Sequence, residues 1–283
     1  MGLELVLPDF TYLRENAHKI KALVVTHGHE DHIGAIPFLL REIKIPIIYC
    51  SKFAGRLIED KCAEHGTLKQ LLIHQVVAGD LIDVGPFSVE FIHITHSTLE
   101  SFALAIQTPQ GLVVHSGDFK FDETPYMGPA SDKKRLAELG KEKPLLLLSD
   151  STNSEKCGHS LSERHITEDL DRLVRETKGA AVVALFASNI HRVQQLFDLA
   201  KKNGRKVFLS GRSMERYVQI AIEQGHIHTD LKLLRPLEDI QDTRRQEILV
   251  LSTGSQGESR SSLLRLAKNE SRWLKLQPDD AVI

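Results

Sequence analysis

The stretch VVTHGHEDHIGAI, residues 24–36, constrains the fold of this chain more than any other part of its sequence. An apolar run ends at Thr26, Gly28 permits a tight turn, and the residues after Asp31 have the apolar spacing of a helix. The stretch therefore predicts a strand, a turn and a helix start, with three histidines and an aspartate gathered between them.

The polar side chains of this stretch, His27-x-His29-x-Asp31-His32, are of the kinds that bind metal ions. Histidines two residues apart can converge on one cation from a tight turn, while Asp31 and His32 point from the helix start toward a second position. Imidazole and carboxylate ligands without thiolate suit Zn2+ or Mn2+. Solvated loop histidines are the alternative, and the agreement of spacing, strand exit and helix start favours a metal site.

Two later positions extend the expected site. His96 closes an apolar run in FIHITHST, and Asp118 follows another in LVVHSGDFK. Loops that follow strands can gather over one edge of a sheet, so we expect these side chains to complete the coordination of two ions. His93 competes with His96 for the ligand role, and we interpret His115 as a structural strand residue.

The chain alternates apolar runs with helical patterns, which indicates an α/β fold. We predict strands at residues 22–26, 46–49, 73–77, 88–94, 102–108, 112–115, 145–149, 181–186, 206–210 and 247–251. We predict helices at residues 31–41, 52–64, 131–140, 162–177, 190–202, 214–224 and 259–268.

Two regimes of strand order suggest two domains. Short turns separate the strands between residues 73 and 115, which implies antiparallel pairing, whereas strict strand–helix alternation from residue 162 implies a parallel sheet. We place the boundary in the Ser-rich, aperiodic segment between them, giving domains at residues 1–155 and 156–283.

Composition restricts the class of protein. The net charge of −2 shows no overall excess of basic residues of the kind that nucleic-acid-binding proteins often have. The charge is unevenly distributed: residues 1–159 carry 16 basic and 21 acidic side chains, whereas residues 160–283 carry 20 basic and 17 acidic side chains. No apolar run approaches the roughly 18 residues of a membrane span, and the N-terminus lacks signal-peptide features. We therefore expect no membrane partner and, by default, a cytoplasmic location.

The ordered motifs resemble those of the metallo-β-lactamase superfamily, most closely its β-CASP branch and, within it, the ribonuclease J family. The carrying stretches are VTHGHEDHIGA from Val25, THSTLESFALAIQTPQGLVVHSGDFKFDETP from Thr95, LLSDSTNSE from Leu147, FASNIHRVQQ from Phe186, SGRSM from Ser210 and STGSQGE from Ser252. The resemblance implies a partial αββα-type metallo-β-lactamase domain followed by a β-CASP domain with a parallel α/β sheet.

The resemblance also implies roles for the metal-binding residues. His27, His29 and His96 would hold one zinc, Asp31 and His32 the other, and Asp118 would bridge the pair. Asp150 matches the first β-CASP motif, a carboxylate that supports the acid for the leaving oxygen, so Asp31 and Asp150 are the expected catalytic carboxylates. From the residues alone, a helix or turn cap is the favoured interpretation of Asp150.

Further positions match loops that line the RNA channel in this family. They are Ser210, Gly211, Arg212, Ser252, Gly254, Ser255 and Gln256, with Asn189, His191 and Arg192 on the same surface. Gly-rich turns before helices expose backbone N–H groups to phosphate, and an arginine adds a forked donor. A plain turn is the alternative reading of such a short Gly- and Ser-containing loop.

The function implied by the resemblance is hydrolysis of RNA phosphodiester bonds in RNA maturation and decay, including rRNA processing. Two zinc ions, or manganese ions, would support 5′-to-3′ exonuclease and endonuclease activity. The resemblance also implies a homodimer or a homotetramer. A small-molecule hydrolase of the superfamily is disfavoured by the strand–helix alternation after residue 162.

The chain departs from the family pattern in ways that leave a second reading open. It has HSTLES where HSIPDS is usual, so that Leu99 and Glu100 replace proline and aspartate. The later HxSGHx-type loop and the final metal-binding histidine have no counterpart, and the upstream strands of the lactamase sheet are missing. We therefore expect a fragment, and the alternative function is a catalytically impaired remnant that binds RNA or a partner.

Overall fold

A computed structural model describes residues 5–283 and divides them into two compact units. The first unit comprises the described residues up to Phe121 together with Pro129–His159, and the second comprises Asp122–Gly128 and Ser160–Ile283. The predicted domain boundary at residues 155 and 156 stays a prediction. Within residues 5–283, no helix is long and apolar enough to cross a bilayer.

The first unit contains mainly short elements. Its helices are α1 Thr11–Glu15, α2 Glu30–Ile33, α3 Ile36–Glu42, α4 Lys52–Glu64 and α5 Lys133–Lys141. Its strands are β1 Leu23–Val24, β2 Ile48–Cys50, β3 Ile73–Gln75, β4 Leu81–Val84, β5 Phe87–Ile94, β6 Ser101–Thr108, β7 Gly111–His115 and β8 Leu146–Leu148.

Two sheets form the first unit. One has the order β1-β2-β3 with parallel pairing, and the other has the order β4-β5-β6-β7-β8, antiparallel except where β8 runs parallel to β7. The prediction of antiparallel pairing from residue 73 onward is therefore wrong for β3. Helix α4 connects β2 to β3, and such a crossover returns the chain in the parallel direction.

The helix predicted over residues 31–41 is interrupted. Helix α2 ends at Ile33 and α3 begins at Ile36 with Pro37 in its first turn. A proline has no N–H to donate to the preceding turn, so one continuous helix would lose a hydrogen bond there, whereas the first turn of a new helix does not need that donor. The break leaves α2 as a single turn that carries Asp31 and His32.

Strand β8 is an edge of its sheet with an exposed apolar surface. Leu145 to Leu148 are between 46% and 64% exposed. An exposed apolar edge strand promotes association through its unpaired backbone groups. We expect the purified chain to self-associate with rising concentration and Leu147→Lys to reduce that tendency, as measured by light scattering. Leu161→Lys, at a 68% exposed leucine outside any strand, is the control and should change little.

The second unit follows the predicted strand–helix alternation. Its helices are α6 Glu163–Glu176, α7 Ile190–Lys202, α8 Arg212–Glu223 and α9 Ser262–Ala267, and its strands are β9 Ala181–Ala184, β10 Lys206–Ser210, β11 Leu234–Arg235, β12 Ile248–Ser252 and β13 Ala281–Val282. The strands form one parallel sheet in the order β11-β10-β12-β9-β13. Buried residues of β9, β10 and β12, among them Val182, Phe208 and Val250, build the core under this sheet.

Candidate metal centre

The loop after β1 presents His27 and His29. Val25 donates its N–H to the Tyr49 carbonyl, which extends the pairing of β1 with β2 to the edge of the loop. His27 is 1% exposed, and its Nδ1 lies 3.0 Å from the Thr26 hydroxyl. This contact occupies one ring nitrogen and leaves Nε2 facing the other histidines.

Gly28 allows this loop to approach helix α4. A Cβ at position 28 would lie 3.0 Å from Leu57 Cδ1 and 3.3 Å from the Ala54 backbone. Any larger residue would therefore push the loop away from α4, together with the histidines on either side. The glycine between the two histidines is explained by packing against a helix that begins 24 residues later.

The first ligand group joins three histidines and Asp118. His29 Nδ1 lies 3.1 Å from His27 Nε2 and 3.0 Å from His96 Nε2, and Asp118 Oδ2 lies 3.8 Å from the Nε2 atoms of both His27 and His96. A tetrahedron with metal–ligand bonds of about 2.0–2.1 Å has edges of about 3.3–3.4 Å. The four atoms therefore have nearly the separation that one zinc ion requires.

The second ligand group shares the same carboxylate oxygen. His32 Nε2 lies 3.4 Å from Asp118 Oδ2 and 3.5 Å from Asp31 Oδ2. Asp31, His32 and Asp118 can hold an ion together, just as His27, His29, His96 and Asp118 can. Asp118 thus lies between two groups that are each capable of holding a metal.

Asp118 reaches this position through a turn that follows β7. Gly117 has a φ of 59°, and a Cβ there would lie 2.6 Å from the Phe102 carbonyl oxygen. The Gly117 N–H donates to His115 Nδ1 over 3.0 Å. His115 therefore fixes the turn from the last residue of the strand and does not enter either ligand group.

The protonation of the histidines favours metal binding. Burial, with the neighbouring His32, His29 and His96, lowers the pKa of His27 to about 2. Burial and His96 lower the pKa of His29 to about 4. Both imidazoles are therefore neutral at pH 7, which is the form that donates a lone pair to a metal.

His93 and Asp150, which the sequence also places near the metal centre, lie outside the two ligand groups. His93 Nε2 lies 3.1 Å from the Pro129 carbonyl oxygen, while His96 contacts His29. Asp150 Oδ1 accepts the Thr152 N–H and its Oδ2 accepts the Phe119 N–H. Partial burial raises the pKa of the Asp150 carboxyl, but the bonds from Thr152 and Phe119 and the nearby His96 outweigh it, so the pKa lies below its ordinary value.

Some residues of the site were not singled out from the sequence. The Thr26 hydroxyl contacts His27, and Ser97 Oγ lies 3.3 Å from His29 Nε2. Both lie directly beside a histidine of the motif, so adjacency was the available signal. Their orientation depends on contacts across the fold, which adjacency does not specify.

The predicted RNA-contacting residues gather at one edge of the parallel sheet. Ser210 and Ser252 end the neighbouring strands β10 and β12 in register, and Asn189 follows β9 at the same edge. Ligands of open α/β sheets bind outside the carboxyl ends of the strands, which is where these loops lie.

These residues differ in how available they are to a ligand. Arg212, Ser255 and Gln256 are exposed, and Gly211 and His191 are half-buried. Ser252 is 1% exposed and its hydroxyl donates to the Thr253 carbonyl, while Gly254 is buried. Asn189 uses Oδ1 to cap α7 at Arg192, whose guanidinium donates to Glu163. Ser252, Gly254 and Asn189 thus support the loops, and their predicted contact with RNA stays a prediction.

Family models match both parts of the chain. Residues 3–171, more than half of the chain, match the metallo-β-lactamase superfamily. The chain belongs to the metallo-β-lactamase superfamily. Residues 178–283 match the β-CASP domain of ribonuclease J. The predicted fold class, a metallo-β-lactamase domain with a β-CASP domain, is confirmed.

Curated proteins named ribonuclease J resemble this member of the superfamily over its whole length. It is 44% identical over 283 residues to the protein of Synechocystis sp. (strain ATCC 27184 / PCC 6803 / Kazusa) and 43% identical to that of Helicobacter pylori (strain ATCC 700392 / 26695). The match covers 100% of this chain but 44% and 41% of those two relatives. The predicted resemblance to ribonuclease J is confirmed, and the chain spans less than half the length of these relatives.

A solved structure from Enterococcus faecalis V583, titled as a protein of unknown function, shares the fold of this superfamily member. The TM-score is 0.57, and the match covers 81% of this chain and 58% of the other at 17% sequence identity. At that identity the likeness concerns the fold alone.

Proposed function

We propose that this chain belongs to a zinc-dependent ribonuclease that hydrolyses RNA phosphodiester bonds, as a 5′-to-3′ exonuclease with endonuclease activity, in RNA maturation and decay. The observation that carries the proposal is the single Asp118 oxygen between two ligand groups. The curated relatives named ribonuclease J support RNA as the substrate. We also propose, from the family resemblance, a cytoplasmic location and a role in rRNA processing.

Each residue of the centre has a proposed role. His27, His29 and His96 would hold one ion, Asp31 and His32 would hold the second, and Asp118 would be shared by the two. Two zinc ions, or manganese ions, supply a polarised phosphoryl oxygen and a water of lowered pKa when bound. The buried side chain of His27 excludes solvent from one side of the centre.

The proposed catalytic carboxylates are Asp31 and Asp150. Asp31 is exposed at the start of α2, where it can bind a metal and accept a proton from incoming water. The hydrogen bonds from Thr152 and Phe119 keep Asp150 ionised beside Asp118, so it can orient the group that protonates the leaving oxygen.

The second unit is proposed to bind RNA at the carboxyl edge of its sheet. Arg212 supplies a forked donor for phosphate, and Ser255 and Gln256 supply exposed polar groups beside it. We place Ser210, Gly211 and His191 in the same surface, with Ser252, Gly254 and Asn189 as its support. A homodimer or homotetramer is proposed for the assembly by family resemblance.

A second candidate function is a remnant that binds RNA or a partner without turnover. Within residues 5–283, the second ligand group offers three ligand atoms, from Asp31, His32 and Asp118. A tetrahedral zinc needs a fourth ligand, which water can supply in a catalytic site. Metal content therefore separates the two functions: two tightly held ions favour the enzyme, and one loosely held ion favours the remnant.

The test measures zinc content and cleavage of a 5′-monophosphorylated, end-labelled RNA by the purified chain with Zn2+ or Mn2+. If the nuclease function is right, the chain should bind about two zinc ions and cleave the RNA, and His27→Ala should abolish the cleavage. His93→Ala is the matched control, because His93 precedes His96 by three residues but bonds to the Pro129 carbonyl. Intact RNA in every arm, or equal cleavage by His27→Ala, would contradict the nuclease function.

The hydroxyl of Thr26 provides a separate prediction. His27 can bind a metal through Nε2 when its Nδ1–H donates to Thr26. Because such outer partners typically contribute about 10–100-fold to metal affinity, we expect Thr26→Val to weaken zinc binding about tenfold in a chelator competition assay. Thr26→Ser keeps the hydroxyl and should bind zinc as the wild type does. Equal affinities for Val and Ser would show that the hydroxyl does not orient His27.

A further inference from the structure

Helix α4 touches the loops of both histidine motifs at its N-terminal end. Gly28 lies against Ala54 and Leu57 in the first two turns of the helix. In the first turn, the N–H of Phe53 donates to Glu100 Oε2 over 2.8 Å. The His27 to His29 loop and the loop that follows His96 therefore rest on the same two turns of one helix.

The contact of Glu100 completes the cap of α4. The first N–H groups of a helix have no partner within it. Ser51, the N-cap residue, accepts the Ala54 N–H over 3.2 Å, and Glu100 accepts that of Phe53. A carboxylate at this position also interacts favourably with the positive end of the helix dipole. The side chain of Glu100 is thus held by a charge-assisted hydrogen bond.

The backbone of Glu100 adopts a conformation that is uncommon for a residue other than glycine. Its φ is 52°, in the left-handed region that residues other than glycine seldom adopt and that persists where surrounding contacts impose it. The two preceding residues, Thr98 and Leu99, are buried. Two residues further on, the Phe102 N–H donates to the Thr26 carbonyl, beside His27. The loop that begins at His96 is therefore fixed at its C-terminal end, at Glu100 and Phe102.

We propose that Glu100 is a positioning residue of the metal centre. Its carboxylate binds the N-terminus of α4 and so sets the distance of His96 from His27 and His29, which the same helix supports through Gly28. This inference rests on the proposed metal-binding function. It also gives a physical reason for a glutamate at this position, since its side chain spans from the His96 loop to the first turn of α4.

The experiment measures Zn2+ affinity by competition with a chromophoric chelator for the wild type and three variants. Glu100→Ala removes the acceptor, and we expect zinc affinity to fall about tenfold or more, as for other outer partners of metal ligands. Glu100→Gln keeps a carbonyl oxygen at the same length and should restore affinity to within about threefold. Thermal unfolding of each metal-free variant is recorded in parallel.

The matched control is Ser51→Ala, which removes the other cap of the same helix. Ser51 bonds to Ala54 within its own helix, so its loss loosens the N-terminus of α4 without releasing the His96 loop. We expect a lower unfolding temperature with zinc affinity unchanged.

The outcomes separate this inference from the function on which it rests. Equal zinc affinity in the wild type and Glu100→Ala overturns the role of Glu100 while leaving the metal centre intact. A loss of affinity in Ser51→Ala as large as that in Glu100→Ala also overturns it, because the effect then follows helix stability. A wild type that binds no zinc overturns the proposed metal centre itself. If Glu100→Ala does not fold, a Glu100→Gln protein with tenfold weaker binding overturns the acceptor role.

Discussion

Asp118→Asn is expected to remove tight metal binding from both ligand groups at once. Its Oδ2 atom lies 3.4 Å from His32 Nε2 and 3.8 Å from the Nε2 atoms of His27 and His96. Asparagine has nearly the same shape but no negative charge, so the two proposed cations would lose the carboxylate that both ligand groups contain. We expect zinc content to fall from about two ions per chain to less than one, with affinity lower by more than the roughly 100-fold that an outer partner contributes.

The control for this prediction is Asp31→Asn, which changes a ligand of the second group alone. Asp31 contacts His32 and is exposed, whereas the first group consists of His27, His29, His96 and Asp118. One ion should therefore remain tightly bound in Asp31→Asn. Elemental analysis after dialysis against a chelator measures both variants. Two ions retained by Asp118→Asn would show that the carboxylate does not bridge the groups.

The structure brings together the polar residues that the sequence predicts for the centre, although they come from two sheets. His27 follows β1 of the three-stranded sheet, and His96 and Asp118 follow β5 and β7, which β6 separates in the five-stranded sheet. Asp31 and His32 lie in α2, the single helical turn after the His27 loop. Their function as ligands stays a prediction. Local spacing was sufficient here because the geometry depends mainly on where strands end.

Contacts between residues distant in sequence could not be predicted in the same way. Gly28 packs against Ala54 and Leu57, and Glu100 binds Phe53, which lies 47 residues earlier. Neither contact leaves a periodic pattern. The sequence marked Glu100 only as a departure from the family motif, whereas the structure shows which backbone donor it satisfies.

Secondary-structure elements were likewise predicted well where a local pattern defines them and poorly where contacts with other strands define them. Helix α7 has the predicted bounds because its apolar periodicity is long and uninterrupted. Strand β10 has them because its short apolar run lies between Gly204 and Gly211. The sequence does not predict strand β4 because its apolar run, Leu81–Val84, has only four residues and is interrupted by Asp83. The strand forms an edge of the sheet by pairing with β5 through the turn at Gly85.

Arg205→Met is expected to destabilise the second unit strongly. The Arg205 side chain is nearly buried, and burial lowers its pKa. Its Nη1 donates to the carbonyls of Gly179 and Ile248, and its Nη2 to those of Val174 and Thr177. Each buried acceptor left without a donor costs about 1–3 kcal/mol, and four lose theirs, so we expect the free energy of unfolding to fall by about 4 kcal/mol or more.

The single tryptophan makes this loss measurable in the second unit alone. Trp273 packs against the core cluster that contains Ile248, so its fluorescence in a urea titration reports the unfolding of that unit. Arg175→Met is the matched control. Arg175 also lies near the end of α6, but its side chain is 57% exposed, and its partner Asp171 keeps its bonds from Lys202 and Asn203. We therefore expect a loss of about 0–1 kcal/mol. Similar unfolding midpoints for the two variants would mean that water replaces the buried guanidinium, and that the carbonyls of α6, β9 and β12 do not depend on Arg205.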